Sequence, residues 1–505
     1  MKNRVAVNDA ALVERLAARV LAHVVDPPTG DDPVVRFAAP DDLVAAFDAS
    51  VGLALGDDAP AHDPDAVAAA VDAVLHHSVQ TNHPRFINQN YAGADPVAVI
   101  GDWLGAALNT ANSTYEIAPV FHLVENAVLA KLAHLAGFGG PGPDAPPDPL
   151  PPGLFCPGGS VALLYALQLA RHRHQPDLKT AGASAEPLDV FVSSSGHYGA
   201  GKAAALLGLG TDAVVEVDVD ADGAMRPDSL RDALAGSTAA GRTPLAVIAT
   251  SGTTITCAFD PLDAIADLCG EHGAWLHVDG CYGASALFSP DHRHRLAGVE
   301  RADSMVWNLH KMMGATQQCT ALLVREPEQL AACFSSGADY LFQPDKQFGE
   351  WDSGDRTFQC GRRVDSLKLW LAWKVRGDAG FAARIDHAVA MADFARMVVG
   401  ASDGALVPVA DTGFTNLVFR WVPPELRPLD PDGLDDATRD RLHRLAPRIK
   451  ARMQHEGTVM LGFQPMHGLN CFRLLVMNPS VSPGDVEAIL ELVDRYGAEE
   501  WTAIA

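Results

Sequence analysis

Trp275-Leu-His-Val-Asp279 and Ser304-Met-Val-Trp-Asn308-Leu-His-Lys311 are the stretches on which the fold turns. Each is a short apolar run, rich in aromatic and β-branched residues, that stops at a polar side chain, as a buried strand does. Runs of the same kind stand at Leu188–Ser193, Leu245–Thr250 and Thr320–Val324, with helix-length or loop segments between them. Strands alternating with helices predict a largely parallel sheet covered on both faces. Ligands of such sheets lie at the carboxyl ends of the strands. Here those ends carry Ser193, Thr250, Asp279 and Asn308, which together amount to a site.

Working outward, a Gly-Gly-Ser turn at Gly158, Gly159 and Ser160 opens a predicted helix over Val161–Arg171. Before it, Gly137–Gly153 is dominated by Gly, Pro and Asp and reads as a surface loop. Asp102–Ala136 is an apolar, helix-rich region, and Asn8 is suited to cap a helix whose Leu12, Leu16, Val20 and Val24 recur at helical spacing until Pro27. From about Asp378 the pattern becomes long helices, strands at Thr415–Val422 and Phe472–Met477, and a closing helix from Asp485. The expected organisation is an amino-terminal helical arm over 1–100, a large α/β domain over 101–376 and a small α+β domain over 377–505. No internal repeat is present.

The 505 residues are 48% hydrophobic, enough for a large core, and 38 Lys+Arg against 63 Asp+Glu leave a formal charge of -25. Such a charge repels phosphate backbones and anionic lipid, which excludes nucleic-acid and membrane-surface partners. No run reaches the roughly 18 apolar residues of a membrane span; Val161–Ala170 is interrupted by Gln168 and followed by Arg171. Asp9, Glu14 and Arg15 break the apolar region a signal peptide needs, so a cytoplasmic protein is expected. The eight cysteines form no CxxC pair, as reduced thiols do not.

Three motifs compete for the chemistry. Gly196-His-Tyr-Gly-Ala-Gly201-Lys202-Ala203 comes within one residue of a phosphate-cradling P-loop, but Ala203 lacks the hydroxyl that would hold Mg²⁺. Cys269, His272, His277 and Cys281 have spacings suggestive of zinc, yet His277 and Cys281 flank the end of an apolar strand where such residues are commonly core, and no metal is expected. The third motif combines Lys311, Asp279 and the Gly-Gly-Ser turn. A lysine at an apolar strand end is either exposed or deprotonated and covalently engaged. Pyridoxal 5'-phosphate accounts for all three parts: a Schiff base on Lys311, a carboxylate at Asp279 for the pyridine nitrogen, and helix N–H groups for the phosphate.

From about His83 to Pro479 the chain resembles the group II pyridoxal-phosphate-dependent amino acid decarboxylases, in particular glutamate and cysteine-sulfinate decarboxylases. The resemblance is carried by His83-Pro-Arg-Phe-Ile-Asn-Gln89, Thr114-Tyr-Glu-Ile-Ala-Pro-Val-Phe121, Phe155-Cys-Pro-Gly-Gly159, Ser195-Gly-His-Tyr198, Ser251-Gly-Thr-Thr254 and Ala258-Phe-Asp-Pro261. It continues through His277-Val-Asp279, Trp307-Asn-Leu-His-Lys-Met-Met-Gly314, Tyr340-Leu-Phe-Gln-Pro-Asp-Lys-Gln347 and Gln359-Cys-Gly-Arg362.

The resemblance implies the aspartate-aminotransferase-like fold (fold type I), a homodimer with shared active sites, and α-decarboxylation of an L-amino acid to an amine and CO₂. It implies that Lys311 carries the cofactor, that Gly159, Ser160 and His310 contact its phosphate, and that Asp279 pairs with its nitrogen. It sets His197 on one ring face, Cys281 on the other where the family usually has Ala, and Thr254 near the phenolic oxygen. Gln89, Tyr91, Ser113 and Arg473 fall in substrate-pocket segments, Arg473 matching an arginine that pairs with substrate carboxylate.

Several positions depart from the family pattern. Leu309 replaces Pro, Leu163 replaces Asn, Ser113 replaces an aromatic residue and Tyr91 a smaller one. Phe348-Gly-Glu-Trp-Asp-Ser-Gly-Asp355 is one residue shorter than the family's mobile loop, and Trp351 falls where that loop presents a catalytic tyrosine. Three alternatives therefore stand beside glutamate-like decarboxylation: an aldehyde-forming, decarboxylation-dependent deaminase, a valine-type decarboxylase, and a catalytically silent cofactor-binding relative. A nucleotide binder built on Gly196–Lys202 is the reading from a different class.

Overall fold

A computed structural model describes residues 10–57, 62–140, 142, 144–182, 186–338, 340–343 and 345–504. Asn8, the expected helix cap, lies outside them; the helix it was to cap runs Ala10–Val25.

Seven strands form the larger sheet: β1 (Gly153–Cys156), β2 (Leu188–Ser193), β3 (Val214–Val217), β4 (Thr243–Thr250), β5 (Trp275–Asp279), β6 (Ser304–Asn308) and β7 (Thr320–Val324). Their order is β1-β7-β6-β5-β4-β2-β3. β7 runs antiparallel to both its neighbours, and the pairings among β2 to β6 are parallel. The sheet is buried on both faces, and the sequence shows why. Val190, Val192 and Ile248 pack with Leu163 and Leu167 of the helix Gly159–His174. The alternate residues Phe191, Val247 and Ala249 pack with Leu230, Leu234 and Ile265 on the other side. With both sides of the pleat apolar, each such side chain contributes roughly 1.5–3 kcal/mol of transfer free energy, and no polar alternation remains to be read.

The smaller sheet is antiparallel throughout, ordered β10-β11-β9-β8: β8 (Leu406–Ala410), β9 (Asn416–Trp421), β10 (Gly462–Met466) and β11 (Leu469–Leu475). The helix Ser366–Gly400 connects the sheets and bends at Gly377, whose φ of 65° and ψ of 178° break the helical path. The apolar region Asp102–Ala136 is two helices, Pro96–Leu108 and Pro119–Leu135. Asn109, left-handed at φ 44°, ends the first, and Pro119 opens the second. Ser113 lies in the connection.

Candidate active site

The carboxyl ends of β4, β5 and β6 stand side by side, with Thr250 in register with Asp279 and Asp279 with Val306. Asp279 is half-buried and accepts from the Cys281 N–H at 3.1 Å. Three residues beyond β6, Lys311 sits on a tight turn, its N–H donating to Asn308 O at 3.1 Å while Gly314 N–H donates to Lys311 O at 3.1 Å. Leu309, in the position where the family has Pro, is fully buried and holds the turn down by donating to Cys319 O at 2.8 Å. His310 is buried against the same segment: Cys319 N–H lies 3.1 Å from its Nδ1 and Cys319 O 3.0 Å. Burial pushes the His310 imidazole down to about 4.

Opposite this turn lies the start of the helix Gly159–His174. Its first bonds run from Val161 and Ala162 to Gly158 O, so the N–H groups of Gly159 and Ser160 donate to no group among the described residues. Gly158 has φ 91°, a conformation that favours glycine. A Cβ on Gly159 would lie 2.5 Å from Cys281 Sγ and 3.2 Å from Asn308 Nδ2. The cradle is therefore open only because no side chain fills it.

His197 follows β2, its Nδ1 accepting from Gly199 N–H at 3.1 Å. The surrounding protein holds its imidazole below the usual range, the charges of Lys311 and Lys202 add to that, and Asp279 opposes it. Burial, and next the Asp279 charge, keep the Cys281 thiol well above its usual range, while Lys311 draws it down. His197, Asp279, Cys281, Lys311 and Gly159 thus share one neighbourhood.

Arg473, on β11, is buried and reaches across to the larger sheet. Its Nη1 donates to Thr254 O at 2.6 Å and Asn90 Oδ1 at 3.2 Å, and its Nη2 to Asn88 O. Its Nε is buried without a partner. Gln89 is exposed between Asn88 and Asn90, and the Tyr91 ring packs against Phe86 at 5.7 Å. Arg473 therefore ties Thr254 to the segment Asn88–Asn90 that holds Gln89, whereas the Tyr91 ring packs into the apolar cluster of Val34, Val35 and Phe86.

Ser113 and Trp351 form a separate group. Ser113 O accepts from Ser353 N–H at 3.0 Å and Gly354 N–H at 2.9 Å, pinning the loop that carries Trp351. The indole lies 5.8 Å from the Tyr115 ring, and Tyr115 N–H donates to Asp352 Oδ1 at 2.7 Å. No hydrogen bond, ion pair or ring contact among the described residues joins this group to Lys311.

Sequence reasoning assigned no role to the network beneath that loop. Arg362 donates to Glu125 Oε1 at 2.7 Å, Phe155 O at 3.0 Å and Ser353 Oγ at 2.7 Å, and Asn112 Nδ2 donates to the other Glu125 oxygen at 2.6 Å. The available signal was Arg362 itself, closing Gln359-Cys-Gly-Arg362. Asp260 was likewise passed over; its carboxyl accepts from Met225 and Thr250 N–H groups and burial pushes it up to about 6. The rival motifs have ordinary partners. Lys202 Nζ sits over the Tyr198 ring at 4.6 Å, and His277 shares a hydrogen bond of 2.8 Å with Ser304 Oγ in the core.

The arrangement fits pyridoxal phosphate on its own geometry: unpaired N–H groups over a cradle that a Cβ would fill, a half-buried amine on a rigid turn, and a carboxylate at the neighbouring strand end. Residues 54–422 match the family model described as the pyridoxal-dependent decarboxylase conserved domain. The cysteine sulfinic acid decarboxylase of Rattus norvegicus is 45% identical over 434 residues, 85% of each chain. An acidic amino acid decarboxylase of Bos taurus is 42% identical over 430 residues, 84% of this chain and 80% of that one. The crystal structure of mouse CSAD in apo form superposes with a TM-score of 0.89 at 40% identity, covering 97% of this chain and 99% of that one.

Proposed function

The chain belongs to the pyridoxal-dependent decarboxylase family, and we propose that its substrate is a small acidic L-amino acid, with cysteine sulfinate the first to test. Its activity is pyridoxal-phosphate-dependent α-decarboxylation, which its relatives favour over the nucleotide-binding and aldehyde-forming alternatives. Bound cofactor supplies the electron sink that makes loss of CO₂ possible. In this reading Lys311 holds the cofactor covalently, Gly159, Ser160 and His310 hold its phosphate, and Asp279 its ring nitrogen. His197 and Cys281 flank the ring, and Thr254 lies near its phenolic oxygen. Gln89 and Tyr91 shape the pocket, and Trp351 belongs to the loop that closes it above Ser113.

The observation that carries the substrate proposal is the environment of Arg473. Its guanidinium is buried, its acceptors are two carbonyls and one amide oxygen, and its Nε has no partner. A buried cation facing only neutral oxygens is completed by an anionic group of the substrate. Fixing that group orients the amino acid and so selects the bond that breaks.

The reading includes a homodimer. Ile117, Val120, Tyr198 and Ile255 are exposed apolar side chains next to site segments, and the exposed His197, Ser160 and Thr254 need a cover that excludes water. A cytoplasmic location accords with the free cysteines; no helix of the described residues is long and apolar enough to cross a membrane. The test is CO₂ release by the cofactor-loaded protein from cysteine sulfinate, aspartate, glutamate and valine, with the amine identified by mass spectrometry. The acidic substrates are expected to give the highest kcat/KM; preference for valine would overturn the proposal.

A further inference from the structure

Behind the turn that carries Lys311 lies a cavity of about 460 Å³, walled by the end of the first helix, the 93–96 segment, the helix beyond Gly377 and residues 478–480. Arg376, Arg384, His387, Asn478 and Ser480 contribute polar groups to it, and its one acid is Asp95. That acid is spent: Oδ1 accepts from Val97 N–H at 2.8 Å and Oδ2 from Arg376 Nε at 2.8 Å. Arg384 has no hydrogen bond or ion pair among the described residues, and its Nε is buried without a partner. The other acids of its helix turn elsewhere, Asp378 to Lys131 at 2.6 Å, Asp386 to Ser289 at 2.6 Å and Asp393 to Arg396 at 2.7 Å. A lone guanidinium is thus left over in the cavity of a chain whose formal charge is -25.

We infer that this cavity binds a small oxyanion, a phosphate or a carboxylate, with Arg384 as its principal partner and Arg376 beside it. A guanidinium offers such a group two parallel charge-assisted hydrogen bonds, and the half-buried Arg384, whose Nε is buried without a partner, has none in return from the described protein. Burial, which pushes the Arg384 guanidinium down to about 10, leaves it charged at neutral pH.

The site lies next to the candidate active site, with one glycine between them. Gly314, at φ 71°, lies so close under Arg384 that a Cβ there would meet its Nη2 at 2.7 Å. The same glycine accepts from Asp95 N–H at 2.8 Å and donates to Lys311 O at 3.1 Å. The inferred anion site and the turn that carries Lys311 thus adjoin at Gly314.

Calorimetric titration of the holoenzyme tests this at low ionic strength, with pyridoxal phosphate saturating so that the cofactor's own phosphate cradle is filled. Inorganic phosphate is one ligand and citrate the other. One saturable site per chain is expected; the tighter of the two ligands distinguishes a phosphate source from a carboxylate source. Arg384→Gln should weaken binding by about tenfold or more, the value of a hydrogen bond to a charged group. Ala383→Glu, at an exposed position lining the cavity, supplies a carboxylate in place and should block binding even if Arg384→Gln fails to fold. No saturable binding of either anion by the wild type, or unchanged affinity in Ala383→Glu, would overturn the inference.

Discussion

Arg473 Nη1 donates to the carbonyl of Thr254 at 2.6 Å, fastening β11 of the smaller sheet to the loop after β4 of the larger one. The bond sets the guanidinium at the junction of the sheets while leaving its charge without a carboxylate. Replacing it by Arg473→Gln keeps a donor for Thr254 and removes the charge. The kcat/KM for cysteine sulfinate is expected to fall about a hundredfold, within the 2–5 kcal/mol typical of a buried charge losing its partner. Cofactor absorbance should stay unchanged. Equal losses for sulfinate and valine would assign Arg473 to the α-carboxylate that both share.

The phosphate cradle can be tested by filling it. In Gly159→Ala the new Cβ meets Cys281 Sγ at 2.5 Å, and overpacking of this kind costs about 1–3 kcal/mol. Cofactor affinity, followed by the visible absorption of apoprotein titrated with pyridoxal phosphate, should drop by roughly tenfold or more. Gly159→Ala combined with Cys281→Ala removes the clashing sulfur and should recover part of that loss. A Gly159→Ala protein of normal affinity would place the phosphate elsewhere.

Four strands of the larger sheet, β2, β5, β6 and β7, could be read from sequence residue by residue, because each is buried on both faces and bounded by polar residues. The strands that could not be read are short or lie at edges. β1 starts at Gly153 inside a Pro-rich stretch, β3 is four residues with an exposed Glu216, and the outer strands β8 and β10 contain Pro408 and Pro465. Proline is tolerated where no neighbour needs its N–H, so the residue that argues against a strand is what an edge permits. Lys311, Asp279 and the Gly159 turn were legible since strand-end chemistry is local. The Arg362–Glu125 pair and the stacking of Arg384 on Gly314 were not, because nothing local ties residues 237 or 70 positions apart.

Glu125 and Arg362 pair at 2.7 Å with 3% of each side chain exposed. Removing one partner strands the other in a dry interior, so Glu125→Gln should cost about 3–5 kcal/mol of stability in urea unfolding. It should also loosen the loop, since Arg362 Nη2 holds Ser353 Oγ at 2.7 Å. Asp228→Asn, which breaks the exposed Arg226–Asp228 pair, should leave the unfolding midpoint unchanged. Equal behaviour of the two variants would show that burial does not govern these pairs.

Acid should destabilise the apoprotein through its buried histidines. Ser304 Oγ accepts from Trp275 Nε1 at 2.8 Å and lies 2.8 Å from His277 Nδ1, and burial lowers the pKa of that imidazole to about 4. In the unfolded chain it binds a proton near 6.5, so between pH 6.5 and 4 the unfolded state holds more protons. Stability from His277 is complete above pH 6.5 and is lost as pH falls toward 4. Asp260, raised to about 6, works in the opposite sense between 3.8 and 6, which makes a difference measurement the cleaner one. His277→Gln should reduce the slope of stability against pH by about 1.4 kcal/mol per unit between pH 4.5 and 6; an unchanged slope would show that His277 is charged in the folded protein.

Trp351 poses the remaining chemical question, because loss of CO₂ leaves the substrate α-carbon in need of a proton. A phenol can give up its proton, with an unperturbed pKa near roughly 10, whereas the indole N–H is a hydrogen-bond donor only. The loop beyond Tyr340 has no tyrosine. What the indole does have is packing: it lies 5.8 Å from the Tyr115 ring, and Phe348 covers the same ring at 5.5 Å. Trp351→Phe keeps an aromatic surface there and should hold amine and CO₂ at one to one with turnover within a few-fold, while Trp351→Ala should open the loop and lower kcat. Tyr115→Phe, which removes a phenol without removing the ring, separates packing from proton supply. If Trp351→Phe alone made amine fall short of CO₂, the indole would have to take part in the proton step itself; if Tyr115→Phe did so, the phenol beneath the loop would be the source. Measuring amine, CO₂ and solvent deuterium at the α-carbon in all three variants decides between them.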